Sequence, residues 1–191
     1  MNMPKKIDTA NIILDVATEL LKTEGDHGIS MRKVATLAQL SLSNVQYYFK
    51  NKNTLLTAIA DRYLRQCLDD LKQQPSLKHQ DELEPFIRSF LTQAHETSDM
   101  CRIFKEYWAI ASKNPEIQEY IDHYYQEVAD TLSEKWRLIA LDTSSAQMAT
   151  AIFLPYFEGY TITVTGLSLD LEIMSQVVSD IVWQYLSGKN I

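Results

Sequence analysis

The chain has 191 residues, 46% of them hydrophobic, with 18 basic and 25 acidic side chains and a net charge of −7. This suits one medium domain, or a small module joined to a larger one, with enough apolar content for a real core. Five Gly and five Pro are too few for many short strands and turns, no run reaches the ~20 apolar residues of a membrane span, and the start, Met1-Asn-Met-Pro-Lys-Lys-Ile-Asp8, lacks the apolar segment of a signal peptide.

An all-α, soluble, cytoplasmic protein is therefore expected. The two cysteines, Cys67 and Cys101, stand in no ligand or disulfide spacing, and neither a metal nor a cofactor is expected.

Helix one is predicted to start at Asp8 or Thr9, either a good cap, with Ile13, Val16, Ala17, Leu20 and Leu21 on one stripe. Glu24-Gly-Asp-His-Gly28 ends it, because its two glycines tolerate left-handed cap geometry. Ser30 caps a short second helix, Met31 to Ala38, which buries Val34, Ala35 and either Leu37 or Ala38. Arg32 and Lys33 lie on its outer first turn. Gln39-Leu40 is the turn, and Ser41 or Ser43 caps a third helix to about Tyr48. Leu42, Val45 and Phe49 face inward; Ser43, Asn44, Gln46, Tyr47 and Tyr48 are left outward or partly so. Three apolar anchors holding a polar face outward are what a recognition helix in the major groove requires.

After Lys50-Asn-Lys-Asn53 a fourth helix buries Leu56, Ile59, Ala60, Tyr63, Cys67 and Leu71, until Pro75 breaks it. Helix five is predicted over Asp81–Ser98, and helix six over Met100–Ser112 with Phe104, Tyr107, Trp108 and Ala111 on one stripe. Asn114-Pro-Glu116 combines a cap, a proline at the first helical position and an acid, and opens helix seven, to about Ile139. Helix eight starts at Asp142-Thr-Ser-Ser145 and carries Met148, Ala149, Ile152, Phe153, Tyr156 and Tyr160. Pro155 removes one backbone hydrogen bond and is expected to kink it. Helix nine, Asp170 to Leu186, has an apolar stripe wide enough to bury against two neighbours: Met174, Val177, Val178, Ile181, Val182 and Tyr185.

The charge is unevenly spread. Residues 1–53 hold seven bases and five acids, net +2, so residues 54–191 hold 11 bases and 20 acids, net −9. The 34 residues from His27 to Ala60 contain no Asp or Glu, yet include Arg32, Lys33, Lys50 and Lys52. An acidic body repels DNA and leaves this stretch as the docking face for a polyanion. Lys5 and Lys6 suit either an arm over the DNA or a solvated tail.

The order of short helices and the residues Ile13, Ala17, Leu20, Gly28, Val34-Ala35, Ala38, Ser41, Tyr47-Tyr48-Phe49, Lys52 and Leu55 resemble the TetR family of transcriptional regulators. The likeness is specific over residues 8–56 and rests on length and helix rhythm beyond them. It implies about nine helices: an N-terminal helix-turn-helix DNA-binding domain, 1–52, and a helical ligand-binding and dimerisation domain, 53–191. Carried over position by position, Ser30, Arg32 and Lys33 resemble the backbone clamp of helix two. Tyr47 and Tyr48 resemble residues near phosphates or the groove wall, although one of two adjacent tyrosines can instead pack inward. Lys52 resembles a phosphate-binding lysine. With Ser41, Ser43, Asn44 and Gln46 they form the expected DNA contacts.

Two departures stand out. Gln39 occupies the usual turn glycine and must adopt its conformation at some cost. Gln46 stands where the family often has tyrosine; a glutamine bonds adenine bidentately, worth about 1–3 kcal/mol of discrimination.

The resemblance further implies a homodimer through the last two helices, a palindromic double-stranded operator, a small-molecule effector, and repression as the usual mode. Gly159 and Gly166 would let a partner backbone approach helix eight. Phe104, Tyr107, Trp108, Tyr120, Tyr124, Phe153, Tyr156 and Glu158 are the expected ligand contacts. Most such aromatics serve as ordinary core, but each buried hydroxyl needs a partner. An inward Glu106 or Glu158 would favour a cationic or amine ligand; if both point outward, a neutral apolar one. His123 and Glu127 lack a third metal ligand.

Enzymatic function is not expected, since the chain has no phosphate loop, His-Glu-x-x-His run or nucleophile elbow. The other alternative is a helical protein-binding adaptor with neither DNA nor ligand activity. The acid-free stretch argues against it.

Overall fold

The computed structural model describes residues 8–95, 99–166 and 170–189. Lys5, Lys6 and the predicted end of helix five at Ser98 lie outside the described residues. Among those residues there are nine α-helices and no strand: α1 Thr9–Gly28, α2 Met31–Leu37, α3 Leu42–Tyr48, α4 Lys52–Gln73, α5 Leu83–His95, α6 Asp99–Ala111, α7 Pro115–Lys135, α8 Thr143–Thr163 and α9 Leu171–Leu186. None of these helices is long and apolar enough to cross a membrane.

Side chains set most of the starts. The first orphan N–H groups of a helix need acceptors, and short polar residues supply them. Asp8 accepts from Asn11 N at 3.5 Å, Ser30 from Lys33 N at 3.2 Å, and Ser41 from Asn44 N at 3.1 Å. Asn51 accepts from Thr54 N at 2.9 Å, Asn114 from Glu116 N at 3.2 Å, Asp142 from Ser145 N at 2.8 Å and Asp170 from Glu172 N at 2.9 Å.

The chain divides into two compact units. One runs to Arg65 and includes Arg102–Ile121; the other comprises Gln66–Cys101 and Asp122–Ile191. In the first, Ile13, Ala17, Leu21, Val34, Val45, Leu55, Ile59 and Ile117 are sealed from solvent. Tyr107 is also sealed there, and its hydroxyl donates to Leu56 O at 2.6 Å. In the second, α5, α8 and α9 pack on one another around Leu83, Ile87, Leu91, Trp136, Phe153, Val182 and Leu186.

Several expectations are corrected. Gln80–Glu82 forms a 3-10 turn, and α5 starts only at Leu83. α7 stops at Lys135, short of Ile139, because the next residue is recruited to the core: Trp136 Nε1 donates to Ala146 O at 3.2 Å and Thr150 Oγ1 at 3.1 Å. Lys135 is buried too, its ammonium donating to Lys72 O at 2.7 Å and to Gln74 O. A cation thus satisfies the open carbonyls at the end of α4. Pro155 lies inside α8, as its expected place in helix eight requires. Trp108 and Met148, expected on buried stripes, are exposed; of the alternatives Leu37 and Ala38, Leu37 is exposed and Ala38 half-buried. Gly25 alone takes the positive φ expected at the end of α1, at +69°, which breaks the last turn into a kink; Gly28 does not.

Candidate nucleic-acid interface

α1, α2 and α3 form the scaffold. Val34 and Ala35 on α2 and Val45 with Phe49 on α3 are buried, which fixes the roll of both short helices. The connection requires a left-handed residue at Gln39, and its φ is +56° as the sequence demands. The Leu40 N–H then reaches Ala35 O at 2.9 Å and closes the turn. A residue with a Cβ holds this conformation at about 1–2 kcal/mol.

With the rolls fixed, the outer face of α3 is decided. Ser41, Ser43, Asn44 and Gln46 are exposed. Tyr47 is 83% exposed and Tyr48 42%, so neither is core. Their rings meet edge to face at 5.2 Å. Ser43 and Tyr47 share one face at i, i+4, and Asn44 and Tyr48 the next. Ser41 Oγ caps α3 and lies 2.9 Å from Ser43 Oγ.

The cations differ from the simple expectation. Lys33 pairs with Glu24 at 2.5 Å. Lys52 lies 2.9 Å from Asp26 Oδ1 and donates to Asp26 O at 2.6 Å. Asp26 Oδ1 has no well-directed hydrogen bond, and the nearby ammonium compensates its charge. The stretch has no acid in its sequence, yet the kinked end of α1 brings two acids to it in space. Lys52 is thus held by protein, contrary to its expected freedom to meet a phosphate. Arg32 and Lys50 are exposed and have no acid partner among the described residues. Lys50 stands between the buried Phe49 and the Asn51 cap.

Around the start of α4 the first unit is tightly hydrogen-bonded. Asn53 Nδ2 donates to Glu116 Oε2 and Asn114 Nδ2 to Asn53 Oδ1, each at 3.0 Å. The Tyr120 hydroxyl donates to Asp61 Oδ1 at 3.2 Å, and burial with that carboxylate pushes the phenol up to about 12. A cleft of about 640 Å³ opens here, its walls including Asp26, Lys52, Glu106 and Lys113. Glu106 faces it and packs on Gly25.

The eight expected ligand contacts are not gathered in one unit. Phe104, Tyr107, Trp108 and Tyr120 belong to the first; Tyr124, Phe153, Tyr156 and Glu158 to the second. Tyr107 is structural, with burial raising its phenol and its hydroxyl committed to Leu56. Trp108 is 48% exposed. In the second unit Phe90 packs edge-on against Phe153 at 5.6 Å and Phe157 at 5.4 Å, and Tyr156 stacks on Tyr160 at 6.1 Å. Among the described residues the buried Tyr156 hydroxyl has no hydrogen-bond partner. Glu158 is half-buried, and burial pushes its carboxyl up to about 7. His123 Nε2 lies 3.1 Å from Glu127 Oε1, and no cluster of three metal-ligating groups occurs among the described residues.

Residues 13–59 match the family model described as bacterial regulatory proteins, tetR family. An uncharacterized HTH-type transcriptional regulator in the dhlA 5' region of Xanthobacter autotrophicus is 41% identical over 182 residues, covering 93% of this chain and 90% of the relative. Among solved structures, Salmonella enterica GusR aligns with a TM-score of 0.74 at 16% identity, over 96% of this chain and 98% of that one. SmeT, solved as a complex with triclosan, aligns with a TM-score of 0.67 at 16% identity, over 91% and 89% of the two chains.

Proposed function

The chain belongs to the tetR family of bacterial regulatory proteins and is a transcriptional regulator; on that premise we propose a ligand-responsive repressor that grips a palindromic operator as a homodimer. The observation that carries the DNA part is the exposed polar face of α3, acid-free and held in register by Val45 and Phe49. Ser43, Asn44 and Gln46 address base edges, Gln46 pairing with an adenine. Tyr47 and Tyr48 lie along the groove wall, while Arg32, Lys50 and the N–H groups at the Ser30 and Ser41 caps hold phosphates, with Lys33 once it leaves Glu24. Lys52 joins them only by leaving Asp26.

One such face reads only a few base pairs, so two are needed, about one helical turn apart. The support for pairing through the last two helices is a surface. On α9, Ile173, Val177 and Ile181 are exposed at i, i+4, i+8. On α8, Met148, Ala151, Pro155, Gly159 and Ile162 form a second exposed stripe, and the space a Cβ would fill at Gly159 is open. Two adjacent apolar stripes on a charged protein suit a twofold four-helix contact.

The second unit, with its aromatic cluster, is the effector-binding body in this reading. That SmeT was solved with triclosan supports small-molecule binding in a chain of like fold. α4 runs from one unit into the other, so an effector that shifts it changes the spacing of the two recognition helices and releases the operator. Gel shift with the DNA upstream of its own gene tests the function. A palindrome-dependent, salt-sensitive shift is expected, with Gln46→Ala relaxing one base position in each half-site. No shift at low salt would leave the adaptor reading in its place.

A further inference from the structure

Two acids stand on either side of the break in α1, and each holds a lysine of the DNA face. The Lys33 ammonium donates to Glu24 Oε2 at 2.5 Å. The Lys52 ammonium donates to Asp26 O at 2.6 Å and lies 2.9 Å from Asp26 Oδ1. Gly25 between them has φ +69° and ψ −169°. That takes Asp26 off the helical path, so the two carboxylates reach different helices, α2 and the start of α4. All five residues belong to the first unit. The stretch from His27 to Ala60 has no acid of its own, and both of these come from the residues just before it. A carboxylate oxygen this close to an ammonium stands where a phosphate oxygen would.

We propose that the kinked end of α1 is an autoinhibitory contact, an internal stand-in for DNA. Glu24 and Asp26 occupy the ammonium groups of Lys33 and Lys52, and duplex must displace both acids to be gripped in full. The proposal rests on the DNA-binding reading and adds a regulation of that same face. The pairs suit exchange. The four side chains are 33–45% exposed, so a phosphate reaches either ammonium without opening the core, and exposed ion pairs are weak enough to trade. The cleft of about 640 Å³ lined by Glu24, Gly25 and Asp26 gives the released carboxylates room to withdraw. Arg32 and Lys50, with no acid partner among the described residues, make the first contact.

The contact weakens binding to every duplex alike, since only molecules with both lysines free bind in full. Sequence preference is left to the outer face of α3. What moves is the threshold. Bulk duplex, held almost wholly through phosphates, falls away, while an operator keeps base contacts that the two acids do not touch. The salt dependence follows too. A freed carboxylate takes up a cation as the phosphate releases one, so each lysine held in this way adds little to the salt slope.

Fluorescence anisotropy over a salt series tests this on the full chain, with a random-sequence duplex and the DNA upstream of its own gene. Glu24→Gln with Asp26→Asn should tighten binding to both duplexes about tenfold and steepen the salt slope by about two units. Either substitution alone should give about threefold and one unit, and the single variants carry the test if the double one fails to fold. Glu19→Gln removes the same charge from α1 but touches only the pair with Lys22, so its slope should match the wild type. With Lys33→Met and Lys52→Met in place, neutralising the two acids should no longer steepen the slope. An unchanged slope in the double variant, an equal gain from Glu19→Gln, or a gain that outlives both lysines would overturn the proposal. The two readings fail separately. Wild-type protein that treats operator and random duplex alike sinks the repressor reading and leaves the slopes to decide this one. Operator-specific binding with unchanged slopes sinks this one alone.

Discussion

Two faces of this molecule are exposed for opposite reasons. The outer face of α3 presents Ser43, Asn44, Gln46 and Tyr47, side chains that water solvates well. The outer stripes of α8 and α9 present Met148, Ile162, Ile173, Val177 and Ile181, which water does not. A hydrated polar face can wait for a partner that comes and goes, and trading its waters for base edges gives selectivity. An apolar stripe has no such resting state, because each of these half-exposed side chains forgoes part of the about 1.5–3 kcal/mol that full burial gives. In the proposed reading the first is a reversible contact with DNA, and the second a standing contact with another copy.

Breaking the standing contact should have the largest effect. Val177→Asp sets a charge in the middle of the α9 stripe. Sedimentation should then show a monomer, and affinity for a palindromic operator should fall about a hundredfold or more. A dimer that persists in this variant would move the interface elsewhere.

Next comes the support of the polar face. Gly25 combines φ +69° with ψ −169°, a region essentially closed to other residues, and an added Cβ would stand 2.9 Å from Glu106 Oε2. The carboxylate is the end of a flexible side chain and can move; the backbone strain cannot be relieved. Gly25→Ala should cost about 1–3 kcal/mol in denaturant unfolding. An unchanged midpoint would mean that the kink is not required.

A smaller effect sharpens the comparison inside the DNA face. Asp26→Asn weakens the hold on Lys52 and frees its ammonium for a phosphate. Operator affinity should rise a few-fold, with the salt slope steeper by about one unit. Were affinity to rise with no change in slope, Lys52 would be a staple of α1 to α4 and not a DNA contact. The smallest effect is at the turn. Gln39→Gly relieves the left-handed strain at some cost in chain entropy and should stabilise the protein by about 0.5–1 kcal/mol in thermal unfolding, with operator preference unchanged.

Much of this was legible in the chain itself. Helix starts at Asp8, Ser30, Ser41, Asn114, Asp142 and Asp170 follow from local chemistry, since a cap bonds N–H groups two or three residues on. The strained turn at Gln39 was legible for the same reason, being a property of one residue's backbone. The inward side of α3 followed from the spacing of Val45 and Phe49.

What failed shares one cause. Lys52 reads as free within an acid-free stretch, yet Asp26, 26 residues away, closes on it. Trp108 sits on an apolar stripe but is exposed, while Trp136, one residue past the end of α7, is fully buried. Lys135 looks like a surface lysine and instead caps α4 from inside the core. Helical period tells which residues share a face. Only the packed chain sets what stands opposite that face, and the opposing group decides whether a lysine, a carboxylate or an aromatic ring is spoken for or still open to a partner.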